Sequence, residues 1–241
     1  MDKEVALQSA CRSNTNIMIE DNPPWLDLLF LLTFGLTIWM FHLSNGKSNK
    51  LTGLVLVWSI IQGVLAYCGF YQITNTMPPR FGLMLVPAFV FVALGLRSKH
   101  HNWMIESRHE VFATLLHTVR IPVEIVLYFL FVQEMIPELM TFAGRNFDIV
   151  MGISAPFIAW LILKGKCSKV VRIAWNTIGV ILVLFVLING TLSAEMPFQQ
   201  LGFEQPNRAI AYFPYILLPA TIVPIVVWTH LSAIILLLKT R

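Results

Sequence analysis

Long apolar runs constrain this chain more than any motif does. A helix needs about 20 mostly apolar residues to cross roughly 30 Å of hydrocarbon. The sequence offers seven stretches near that length, at residues 25–43, 52–73, 81–96, 111–131, 149–163, 170–191 and 212–238. Only 12% of the residues are charged and 56% are hydrophobic, whereas a soluble domain carries roughly 25% charged residues. Too little polar side chain remains to coat a water-soluble fold. The expected fold is all-α: a polytopic transmembrane helix bundle of seven spans over residues 25–241, preceded by a polar tail over residues 1–24. That tail lacks the basic-then-apolar order of a signal peptide, so the first run is expected to stay as a span.

Orientation follows from the basic residues. With seven spans, eleven of the seventeen fall on one side: Lys47, Lys50, Arg97, Lys99, Arg108, Lys164, Lys166, Lys169, Arg172, Lys239 and Arg241. Five fall on the other side: Lys3, Arg12, Arg80, Arg145 and Arg208. Lysine and arginine are retained in the cytoplasm during insertion. The N-terminus is therefore expected outside and the C-terminus inside, in a plasma or bacterial inner membrane. The net charge of +4 does not signal nucleic acid, because the basic residues flank apolar runs instead of forming one patch. Cys11, Cys68 and Cys167 fall outside, within and inside the membrane on this topology, so no disulfide is expected.

The fourth run departs from plain scaffold. At about 100° per residue, His117, Arg120, Glu124 and Tyr128 form one stripe on one helix face. Arg120 falls near the midplane, and Glu124 stands at the i,i+4 spacing that lets a carboxylate meet a guanidinium. Charge at that depth costs a few kcal/mol on insertion scales, so the stripe must face the bundle interior. Pro122 between them removes one amide donor and frees a carbonyl one turn earlier, that of Thr118. Gln62, Asn176 and His230 on other runs are candidate partners. Pro214, Pro219 and Pro224 predict a bent or broken start to the seventh run.

Two loops on the expected outer face, residues 133–148 and 193–208, mix acids, an arginine each and several Phe or Met side chains. They can fold over the bundle as an interfacial cap, anchored by Phe and Pro, with Arg145 and Arg208 paired to nearby acids. In the sharper reading they gate a cavity, with Glu138, Arg145, Asp148, Glu204 and Arg208 as an outer gate. Motifs for zinc proteases, serine hydrolases, nucleotide binding and a retinal lysine are all absent from the sequence. No metal or cofactor is expected, and an enzyme is not favoured. The leading expectation is a small-solute or ion carrier, proton-coupled through Glu124 and His117. Its alternatives are a membrane-embedded enzyme acting on a lipid or isoprenoid, and a heptahelical sensor or assembly factor. The expected partners are the bilayer and a small solute, a proton or a lipid; the oligomeric state is not legible.

Overall fold

The computed structural model describes residues 19, 22–97 and 108–239. Most of the polar tail and of the segment joining the third and fourth runs lies outside them. Among the described residues there are seven helices and no strand: α1 (Pro24–Ser44), α2 (Asn49–Tyr67), α3 (Gly82–Arg97), α4 (Glu110–Val132), α5 (Ile149–Leu163), α6 (Lys169–Leu192) and α7 (Leu218–Lys239). Five are long and apolar enough to cross a membrane; α3 and α5 are shorter apolar helices.

The helices begin and end for local reasons. The Ser48 and Ser168 hydroxyls accept from the amides of Leu51 and Val171, capping α2 and α6. The second run stops six residues before its expected end, because Gly69 takes a left-handed φ of 71° and a short 3₁₀ turn, Phe70–Gln72, follows. The seventh helix starts at Leu218, not at Tyr212. Pro214 and Pro219 lack amide donors, so residues 212–216 form a bend and turns, and α7 opens with a π turn over Leu218–Ile222. The expected break at the start of this run is thus present. In α4 the chain tightens to 3₁₀ over Leu116–Val119, within the turn preceding Pro122.

The bundle is apolar outside as well as inside. Val57, Ile60, Ile61 and Val64 of α2 recur at helical spacing and are all exposed, as are Val150, Ile153, Phe157 and Trp160 of α5. Contiguous surfaces of this kind are unfavourable against water and suit lipid. Helix α7 is the most enclosed of the long helices, packing against α2, α3 and α6. Its docking on α2 uses a proline. Pro224 has no amide hydrogen for the carbonyl of Ala220, and the Trp58 indole donates to that carbonyl instead, at 2.9 Å. Beside it, the Ser59 and Thr221 hydroxyls meet at 2.9 Å.

One end of the bundle carries the two long loops, and these are laced together. The Gln205 amide donates to the carbonyls of Phe131 and Ile136 at 2.8 and 2.6 Å. The backbone amides of Arg208 and Ala209 both donate to the carbonyl of Met135. The Asn207 amide reaches the carbonyl of Gly190 at 3.0 Å. The opposite, basic end carries Lys47, Lys50 and Arg97.

Candidate functional site

Two glycines bring the polar residues of four helices together. At Gly152 of α5, a Cβ would stand 2.9 Å from Ile121 Cγ1 and 3.3 Å from Arg120 Cβ. Its absence lets α5 press directly on α4. Asp148, four residues earlier on the same face, then reaches Arg120. At Gly179 of α6, a Cβ would stand 2.2 Å from His230 Nε2. Here the missing side chain admits the α7 imidazole.

Arg120 is the centre. Its Nη1 donates to Asp148 Oδ1 at 2.8 Å. Its Nη2 contacts His230 Nε2 at 3.0 Å and the Gly179 carbonyl at 3.5 Å. The His230 tautomer follows from its other nitrogen. Asn176 spends its amide nitrogen on the Arg172 carbonyl at 2.8 Å, so its oxygen faces His230 Nδ1 at 2.9 Å. That oxygen can only accept, so Nδ1 carries the hydrogen and Nε2 accepts from the guanidinium. His117 lies flat on His230, with ring centroids 3.8 Å apart and planes within 11°, and Trp175 presents an edge to both.

The expected Arg120–Glu124 pair is not formed. Asp148, delivered by the close approach at Gly152, takes the guanidinium, and Glu124 is held by Asn146. The Asn146 amide donates to Glu124 Oε1 at 2.5 Å and to the Met140 carbonyl at 2.9 Å, while its oxygen accepts the Asp148 amide at 2.9 Å. Asn146 thus joins both acidic residues to the 133–148 loop. Exposure of His117, Arg120, Glu124 and His230 is 0, 2, 1 and 0%. Within this burial, both nitrogens of His117, Nε of Arg120 and Oε2 of Glu124 have no hydrogen-bond partner.

The hydrogen bonds continue toward the basic end. Arg172, whose carbonyl holds Asn176, pairs with Glu110 at 2.9 Å. Arg108 donates to Ser232 and, at 2.6 Å, to the Thr229 carbonyl on α7. A polar column therefore runs from Glu124 through Asn146, Asp148, Arg120, His230 and Asn176 to Arg172 and Glu110. Glu110 and Glu124 are fourteen residues apart on α4, about 21 Å along a helix axis.

The remaining candidates are distributed elsewhere. Tyr128 is half-buried and stacks on Phe142 at 5.1 Å, an aromatic contact outside the polar column. Gln62 accepts from Tyr71 at the loop-rich end of α2. Of the five gate candidates, Asp148 belongs to the buried column. Arg208 pairs with Glu195 at 2.7 Å, and Glu138, Arg145 and Glu204 are exposed on the loops.

Sequence reasoning missed Asn146, whose neutral side chain in a loop carries no charge signal. It also missed Asp27 of α1. Asp27 is buried and accepts from the Tyr215 hydroxyl and the Asn22 amide, each at 2.6 Å. A carboxylate three residues into an apolar run was its available signal.

A domain of unknown function, DUF8737, matches residues 77–238. The chain belongs to that family. No curated protein and no solved structure matches it. The DUF8737 region holds α3 to α7 and the whole polar column, whereas Asp27 and Gln62 precede it.

Proposed function

We propose that this DUF8737 chain is a seven-span protein of the cell membrane, with its N-terminus outside and its C-terminus cytoplasmic. In this reading it is a proton-coupled carrier of a small solute or ion. The span count rests on five long helices plus two shorter ones whose exposed faces are apolar. The orientation rests on the eleven-to-five division of basic residues.

The observation that carries the coupling is the charge arrangement. One guanidinium, Arg120, stands in the same buried cluster as two carboxyl groups, Asp148 and Glu124, and Glu124 keeps one oxygen without a partner. A proton or small cation at Glu124 completes the balance of charge there. His230 and Asn176 extend the hydrogen-bonded groups from Arg120 toward the basic end, and polar chains of this kind within spans mark ion or proton paths. The laced loops close the opposite end, which corresponds to an occluded carrier.

A second reading is favoured by the burial itself. A fully packed ion pair can fix helix register, and the protein would then be an assembly factor or sensor. Reconstitution separates the two. Liposomes holding a pH-sensitive dye are given a potassium diffusion potential with valinomycin. With small solutes and ions supplied in turn from a panel, the carrier reading expects solute-dependent proton entry above that of empty vesicles, abolished by Glu124→Gln. Proton entry equal to that of empty vesicles with every solute of the panel supports the packing role.

A further inference from the structure

A groove of about 210 Å³ opens sideways between α2, α3 and α7. Small and amide-lacking residues create it. Ala88, Ala220 and Thr221 leave space where larger side chains would fill, and Pro87 and Pro224 stand on facing helices. Leu54 and Phe91 form exposed apolar lips. The deep end is closed by the bond from Trp58 to the Ala220 carbonyl. From Leu51 to Trp58 on α2, the groove extends about 10 Å along the helix.

Three cations lie within two positions in sequence of residues at the shallow end of the groove. Trp228, which lines the groove, donates to Asn45 Oδ1 at 3.3 Å, and Lys47 lies two residues beyond Asn45. Lys50 precedes the lining residue Leu51. A Cβ at Gly95 would touch the Trp228 ring, and Arg97 lies two residues beyond Gly95. Lys47, Lys50 and Arg97 are all exposed. An apolar slot about 10 Å long, enough for roughly half of an extended acyl chain, thus has basic residues at one end. Anionic lipid surfaces attract such residues.

We propose that this groove is a binding site for one anionic phospholipid, the part of one acyl chain nearest the headgroup lying between Trp58 and Trp228 and the phosphate on Lys47, Lys50 and Arg97. The proposal rests on the bundle lying in a bilayer and not on the proton-carrier reading, so Glu124→Gln leaves it unchanged.

The test is native mass spectrometry of the full chain released from vesicles of phosphatidylcholine and phosphatidylglycerol in equal parts. Wild type is expected to retain one phosphatidylglycerol in preference to phosphatidylcholine. Substituting Lys47→Gln, Lys50→Gln and Arg97→Gln together lowers that preference roughly tenfold or more. Each single change lowers it stepwise, which keeps the test open should the triple variant not fold. Exchanging the cations instead (Lys47→Arg, Lys50→Arg, Arg97→Lys) preserves the preference. Ala88→Trp, which fills the slot, lowers retention of the bound lipid. Equal retention of both lipids by wild type overturns the proposal. So does a preference that survives loss of the three cations, or retention unaffected by Ala88→Trp.

Discussion

Arg120 and Asp148 lie 28 residues apart, on α4 and at the start of α5, and meet at 2.8 Å with almost no exposure. Removing one partner of a buried pair leaves the other charge uncompensated, typically at about 3–5 kcal/mol. Arg120→Met is therefore expected to lower the thermal unfolding midpoint in detergent strongly. Combining it with Asp148→Leu removes both charges and is expected to recover most of the loss.

Asn146 links the acidic residues to the loop above them. Asn146→Ala leaves Glu124 Oε1 and the Asp148 amide without these partners, a loss of about 1–3 kcal/mol for each buried group left unsatisfied. Limited proteolysis is the matching readout, with faster cleavage within residues 133–148 than in wild type. Asn146→Asp places a third carboxyl group beside Glu124 and is expected to be more damaging than alanine.

The fold was legible in the sequence to the degree that apolar length encodes it. The helix ranges follow the apolar runs closely, except where Gly69 and the prolines around residue 219 override hydropathy. The polar stripe on α4 was legible through helical periodicity, because His117, Arg120 and Glu124 share a face. Their partners were not. The i,i+4 rule describes an isolated helix, and it points Arg120 at Glu124; packing at Gly152 supplies Asp148 from another helix. Asp148 reads as a loop acid, because nothing local distinguishes a carboxylate facing water from one folded inward. His230 and Asn176 were visible as polar residues in apolar runs, but the Gly179 gap that brings His230 to Arg120 is a property of packing.

Gly179 gives a sharp contrast with another glycine. Gly179→Ala sets a Cβ 2.2 Å from His230 Nε2, which forces the imidazole away from Arg120 and costs about 1–3 kcal/mol by overpacking. Gly35→Ala, where nothing lies within 4 Å of the added carbon, is expected to be neutral or stabilising by up to about 1 kcal/mol. Unfolding midpoints of the two variants, measured side by side, check this.

The contact between Trp58 and Ala220 exists because Pro224 cannot donate. Trp58→Phe leaves that carbonyl unpaired and is expected to lower stability by about 1–3 kcal/mol. In a Pro224→Ala background the new amide can take the carbonyl, so the same tryptophan change is expected to cost less. A double-mutant cycle on unfolding midpoints reads the difference.

In the proton-carrier reading, the buried column binds and releases a proton at Glu124. Infrared difference spectroscopy of the reconstituted protein, stepped between acidic and alkaline buffer, tests it most directly. A protonated-carboxyl band is expected to change with the step in wild type and to be missing in Glu124→Gln, with the amide bands of the two proteins alike. A wild-type difference spectrum without such a band, or one that Glu124→Gln leaves intact, would contradict it.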